Sequence, residues 1–210
     1  MKLFIDTADI AEIKKWRSII SGVTTNPTVM KKCGVPYSSV HEIANECHPL
    51  PLLVEVRSEL PNDIIAESLL LQDVRENVVI KIPIHSKEYC SYLTTIKFLS
   101  TKEVKIAVTA MMNSQQCMLA SIVGARYAAI FTGRVADMGY DPCEEIRRAR
   151  LLCKKETEII AASCREVKNV TDWLLAGADI VTVTPNLLTK MVNHPYTRET
   201  VEMFMRDAND

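Results

Sequence analysis

No stretch of the sequence is long and apolar enough to span a bilayer, no Cys-x-x-Cys pair occurs, and neither G-x-G-x-x-G nor a P-loop glycine pattern appears. The first absence excludes a membrane-spanning helix. The second removes the common zinc-ribbon and thiol-redox motifs. The third counts against a doubly wound nucleotide-binding sheet, which normally carries such a turn after an early strand. A charge excess of either sign is also missing. With 25 Lys and Arg against 26 Asp and Glu, interspersed to a net charge of −1, nothing points to nucleic acid or an anionic membrane surface as a partner. No linker-like run divides the chain, so residues 1–210 are expected to form one domain. Asp6 and Asp9 interrupt the N-terminus where a secretory signal needs an apolar core, and a cytoplasmic location is the expectation.

What is present is an ordinary globular composition, 48% hydrophobic and 24% charged. The seven cysteines are odd in number and unpaired in spacing, and are expected to be reduced, with Cys33, Cys90, Cys117 and Cys153 reading as small core or helix residues. Cys47-His48 has no second pair at ligand spacing, so no metal site is expected.

One stretch stands apart. In Val78-Val79-Ile80-Lys81-Ile82-Pro83 four branched apolar residues surround a lysine, a pattern that reads as a short strand buried on both faces. Lysine is rarely buried without a partner, and a dry setting favours the neutral amine, the form that acts as a nucleophile. The competing reading is an edge strand whose Lys81 reaches out to water.

Strand-like runs alternate with helical ones along the whole chain. Strands are expected near residues 2–5, 21–24, 52–56, 78–83, 105–109, 127–131, 158–163 and 179–183. Helices are expected near 9–17, 37–47, 62–75, 86–100, 113–123, 141–155 and 167–175, with two more at 185–192 and 197–206. Asp9 and Glu12 have capping-box spacing, and Gly124 and Gly177 stand where a helix must stop in a left-handed cap. Eight such alternations make a single-domain α/β fold, a (β/α)8 TIM barrel with extra C-terminal helices, and an open doubly wound sheet is the alternative.

In a (β/α)8 barrel the chemistry collects at the carboxyl ends of the strands. Those ends carry Asp6, Thr24 to Asn26, Glu55, Lys81, Thr109, Arg134, Ser163, Arg165, Thr182 and Thr184. Each has a bland reading alone: Asp6 as a helix cap, Thr25-Asn26-Pro27 as a turn. Jointly they permit amine catalysis on a carbonyl. Lys81 attacks a ketone to form an imine, Glu55 and Thr109 hold the water that carries protons, and Asp6 removes the hydroxyl proton that drives carbon–carbon cleavage. Arg134 and Arg165 suit a phosphate at the far end of the substrate.

The motifs Leu3-Phe4-Ile5-Asp6-Thr7-Ala8, Gly22-Val23-Thr24-Thr25-Asn26-Pro27-Thr28, Val79-Ile80-Lys81-Ile82-Pro83, Phe131-Thr132-Gly133-Arg134 and Ala162-Ser163-Cys164-Arg165 follow one another in the order of a known family. At these residues, and through Ala176 to Val183, the sequence resembles the small transaldolase family, which includes fructose-6-phosphate aldolases. The resemblance implies a class I aldolase barrel in which Lys81 forms the Schiff base, Asp6 is the acid/base carboxylate, and Asn26 holds the bound dihydroxyacetone unit. It further implies that Glu55 and Thr109 position the catalytic water and that Arg134, Ser163 and Arg165 bind phosphate, without metal or organic cofactor. The implied reaction, in the pentose phosphate pathway, moves dihydroxyacetone from sedoheptulose 7-phosphate or fructose 6-phosphate to an aldose phosphate. Aldolase members carry glutamine and tyrosine where this chain has Glu55 and Phe131, as transaldolases do; Phe131 would supply a dry wall. The alternatives are a fructose-6-phosphate aldolase and, from another class, a phosphosugar-binding barrel without catalysis. The segment from His85 to Leu93, the pair Met111-Met112 and Ala129 depart from the family's common residues, which bears on acceptor preference. Small members form pentamers or decamers through the C-terminal helix. Here Val201, Met203, Phe204 and Met205 give that helix an apolar side suited to a neighbouring subunit or to its own barrel.

Overall fold

A computed structural model describes residues 1–209. Its eight parallel strands pair in chain order: β1 (Lys2–Asp6), β2 (Gly22–Thr24), β3 (Leu52–Glu55), β4 (Val78–Pro83), β5 (Ile106–Met111), β6 (Tyr127–Ile130), β7 (Glu158–Ala161) and β8 (Ile180–Val183). β8 pairs back onto β1, with Phe4 opposite Thr182, so the sheet is a closed barrel and the open-sheet alternative falls. The connections carry α1 (Ile10–Trp16), α2 (Pro27–Cys33), a 3-10 turn (Tyr37–Ser39) leading into α3 (Val40–Cys47), α4 (Pro61–Gln72), α5 (Leu93–Thr101), α6 (Ser114–Ile122), α7 (Thr132–Asp137), α8 (Pro142–Leu152) and α9 (Val167–Leu175). After the last strand come α10 (Pro185–Val192) and α11 (Pro195–Asp207). Among the described residues no helix is long and apolar enough to cross a membrane.

Alternation along each strand sorts side chains into two cores. Phe4, Leu53, Val79, Ala107, Tyr127, Ala129, Ile160 and Ile180 fill the barrel interior. Their sequence neighbours Ile5, Leu52, Val54, Ile80, Val108, Ala128 and Val181 face the helices. Two residues above the interior layer, on the same face, come Asp6, Glu55, Lys81, Thr109, Phe131, Ala162 and Thr182, so the strand period itself aims these side chains at the carboxyl-end mouth.

Helix ends follow local rules. Asp9, Asn26, Asn113, Asp141 and Thr184 cap α1, α2, α6, α8 and α10 through their side-chain oxygens. Gly124 and Gly177 adopt φ +96° and +108° at the ends of α6 and α9, the left-handed stops read from the sequence. The capping box expected at α1 is half present: Glu12 takes the Trp16 indole N–H at 3.0 Å rather than reaching back.

Two helices have no counterpart among those expected, α2 and α7, and of the expected helices that come out shorter the one at 86–100 changes most, starting only at Leu93. Residues 86–92 form a loop before α5, because the Ser86 hydroxyl accepts from the amides of Glu88 and Cys90 at 3.1 and 3.2 Å and Tyr89 takes φ +63°. The strand expected at 158–163 ends at Ala161, with Ser163 beyond it at φ +65°. All seven thiols are unpaired, but Cys33 and Cys90 are exposed rather than packed. Burial pushes the Cys47 thiol up to about 12 and the Cys164 thiol up to about 11, far from a reactive thiolate.

Candidate active site

Lys81 is the pivot of the mouth. Only 5% of it is exposed, so the edge-strand reading fails, and its nitrogen is held between two partners. Nζ lies 3.2 Å from Glu55 Oε2 and donates to the carbonyl of Thr25 at 3.3 Å. Glu55 and Lys81 stand opposite each other in the β3–β4 register, which makes their meeting a consequence of strand pairing. Breaking such a pair by removing one member strands a buried charge, so the two groups stabilise the fold only together.

A second hydrogen-bonded chain runs along the first wall. Thr24 Oγ1 donates to Asp6 Oδ1 at 2.8 Å; having spent its proton, it accepts from Thr182 Oγ1 at 2.7 Å. Burial raises the Asp6 carboxyl above its ordinary value, an effect opposed by the charge of Lys81, the Thr24 hydroxyl and, more weakly, the charge of Lys32. A proton acceptor with a raised pKa beside a primary amine is the acid/base pairing that carbonyl chemistry requires.

A cavity of about 500 Å3 opens over these groups. Of the residues singled out in the sequence, Asp6, Thr24, Asn26, Glu55, Lys81, Phe131, Arg134, Ser163 and Thr182 line it. The Asn26 side chain is part-engaged, capping α2 by accepting from Val29 N at 2.9 Å. Thr109 stands in the same inner layer without lining the cavity, 1% exposed, and its Oγ1 finds no hydrogen-bond partner among the described residues. A valine would fit that space without the cost of about 1–3 kcal/mol that an unpaired buried hydroxyl carries.

Arg165 departs from the expectation. It is exposed on the rim, its guanidinium forked onto both carboxylate oxygens of Asp137 rather than lining the cavity. Arg134 faces the cavity, with its guanidinium carbon 4.9 Å from the centre of the Phe131 ring. The segment from Phe131 to Arg134 is seated hard on the loop after β7: Thr132 Oγ1 donates to Ala162 O at 2.9 Å, and a Cβ at residue 133 would stand 2.0 Å from Ser163 O. Glycine is the only residue that fits there, and the contact fixes Arg134 and Ser163 relative to each other. Among the described residues no three His, Cys, Asp or Glu side chains converge as metal ligands would; the His48 ring meets Glu76 at 2.6 Å.

The sequence of the whole chain, residues 3–210, matches the family model described as transaldolase/fructose-6-phosphate aldolase. The chain belongs to that family. A protein named probable transaldolase from Brachyspira hyodysenteriae is 37% identical over 99% of this chain and 97% of its own length. Another of that name from Caulobacter vibrioides is 36% identical over 99% and 96%. Among solved structures, a 3-hexulose-6-phosphate synthase from Salmonella typhimurium superposes with a TM-score of 0.66 at 17% identity, covering 88% of this chain and 89% of that one, a likeness of fold alone. Within this transaldolase/aldolase barrel the lining residue Lys32 was given no role in the sequence, and Thr28 was quoted only as the end of a motif. Both sit on α2, whose signals were available: Asn26 as cap, Pro27 in the first turn, Lys31 and Lys32 in the last, and Gly34 at φ +68° just beyond.

Proposed function

We propose that the protein is a transaldolase that transfers a dihydroxyacetone unit from fructose 6-phosphate or sedoheptulose 7-phosphate to an aldose phosphate, through a Schiff base on Lys81, within the pentose phosphate pathway. The observation that carries the reading is a nearly dry lysine amine 3.2 Å from a carboxylate, in a cavity that Asp6 and Arg134 also line. Family membership supports the same class of chemistry.

In this reading Lys81 Nζ gives up its proton toward Glu55 and attacks the keto carbon, and the carbinolamine loses its oxygen as water to leave an iminium. Glu55 and the unpaired hydroxyl of Thr109 hold that water. Asp6 takes the proton of the hydroxyl on the carbon β to the iminium carbon, that oxygen becomes the carbonyl of the departing aldose phosphate, and the electron pair of the bond between the α and β carbons moves into the iminium, leaving an enamine on Lys81. Arg134 and Ser163 hold the phosphate, and Arg165 stands outside the lining, paired with Asp137. The enamine then adds to the acceptor aldehyde and the steps run backwards. No cofactor is required.

Glu55 and Phe131 favour transfer over release, since Phe131 offers no hydroxyl to organise water at the waiting enamine. With fructose 6-phosphate and erythrose 4-phosphate together, sedoheptulose 7-phosphate is expected to form; with fructose 6-phosphate alone, free dihydroxyacetone is expected to accumulate at least about ten times more slowly. Equal rates of dihydroxyacetone release with and without acceptor would make the protein an aldolase instead. The phosphorylated substrates of the proposed reaction favour a cytoplasmic enzyme, and the bare apolar side of α11 favours a homo-oligomer of the pentamer or decamer kind.

A further inference from the structure

Behind Glu55 lies a cluster that the reaction scheme leaves unused. The Glu67 carboxylate, on the second turn of α4 and 14% exposed, accepts from the backbone amides of Arg57 at 3.1 and 3.0 Å and of Ser58 at 2.9 Å. Tyr37, from the 3-10 turn, points its hydroxyl at the carbonyl oxygen of Glu55, 3.0 Å away, and at Glu67 Oε1, 3.3 Å away. The guanidinium of Arg57 covers the other side of the same ring, 3.9 Å from its centre. On the barrel side the amide of Val56 donates to the carbonyl of Lys81 at 3.0 Å. Four consecutive residues, 55 to 58, therefore each have a backbone polar group tied down, and the ties come from three separate parts of the chain.

Helix capping does not account for this. α4 starts at Pro61 with Leu60 as its uncapped leader, and Glu67 lies well inside the helix, so its carboxylate serves the segment before the helix rather than the helix end. Side chains tie other rim turns as well: Asn26 and Thr184 cap their own helices, and after β5 Asn113 caps α6 while Gln116 and Glu145 accept from the amides of Met112 and Ser114 at 2.7 and 2.6 Å. What singles out the β3 turn is the side chain at its start: Glu55 must meet Lys81 in a mouth where a displacement of about an ångström costs on the order of 100-fold in rate. We infer that Tyr37 and Glu67 are positioning residues of the amine site, a brace that holds the backbone of Glu55 to Ser58 so that the Glu55 carboxylate stays 3.2 Å from Lys81 Nζ. The inference rests on the reading in which Lys81 is the nucleophile.

Tyr37→Phe removes one oxygen and is the cleaner probe; Glu67→Gln keeps the shape of the carboxylate and is the second. Each is measured as the rate at which borohydride traps the fructose 6-phosphate adduct on Lys81, and as KM and kcat with fructose 6-phosphate and erythrose 4-phosphate. The expected result is a fall in trapping rate and kcat on the order of 10-fold with KM changed less than about 3-fold. In a Glu55→Gln background the same substitutions are expected to have no further effect on trapping, because the brace acts only through that carboxylate. A Tyr37→Phe protein that traps as fast as the parent overturns the inference. So does a loss of the same factor with Gln at position 55, which would make the cluster a closure of the turn and nothing more. If the parent protein itself traps no adduct, the nucleophile reading fails and not the brace alone.

Discussion

At the scale of single residues, Asp6 shows how a site is built against stability. Burial raises its carboxyl pKa above the ordinary value near 3.8, so the folded protein binds that proton more tightly than the unfolded chain does. The stability Asp6 contributes is therefore full below about pH 3.8 and falls as the pH rises through the folded value, because ionising the buried carboxyl costs the folded protein more than it costs the unfolded chain. Asp6→Asn is expected to raise the melting temperature at pH 7 by roughly 2–4 °C, about 1 kcal/mol for a chain of this size, and to narrow that gain toward pH 4. The same substitution should slow carbon–carbon cleavage far more than adduct formation and remove the acid limb of the pH–rate profile. Thermal melts at the two pH values beside single-turnover trapping decide it; a variant that melts lower at pH 7, or that loses both steps equally, contradicts the role.

At the scale of elements, strand identity was legible because parallel strands buried on both faces read as apolar runs, and Val78 to Pro83 is the plainest of them. The barrel and most of its mouth were legible for the same reason: strand period two puts Glu55, Lys81 and Thr109 on the inner face once the strands are known. Short helices were not. α2 is seven residues and its entry, Asn26-Pro27, has the look of a turn; α7 is six and offers no apolar stripe of its own. Its seat is decided by a contact with the loop after β7, which no local pattern announces. The ion pair of Arg165 was not legible for a related reason, since Asp137, its partner, lies in that unread helix. The seat gives a direct expectation. Gly133→Ala places a methyl group against the backbone oxygen of Ser163, which cannot yield as a flexible side chain would, and should cost about 1–3 kcal/mol in a denaturant melt. Because Arg134 and Ser163 move with that contact, KM for fructose 6-phosphate should rise several-fold while that for unphosphorylated fructose changes little; an equal change for both would separate the seat from the phosphate.

At the scale of the whole molecule, the barrel is complete without its last helix. α11 buries no residue, and Val201, Met203, Phe204 and Met205 are between 43% and 61% exposed. That settles where the apolar side is not used, namely on its own barrel, and agrees with an interface between copies. Light scattering is expected to give an oligomer for the parent protein and a folded monomer for Phe204→Glu with Met205→Glu, the melt showing a barrel that still unfolds cooperatively; a monomeric parent would remove the interface. The central bond is the one proposed between the nitrogen of Lys81 and the keto carbon of a sugar. Borohydride reduction in the presence of fructose 6-phosphate, followed by peptide mass spectrometry, reads that bond directly. The protein should gain one reduced sugar-derived adduct on Lys81, and Lys81→Met should gain none. No adduct on the parent protein, or an adduct at another lysine, would contradict the account.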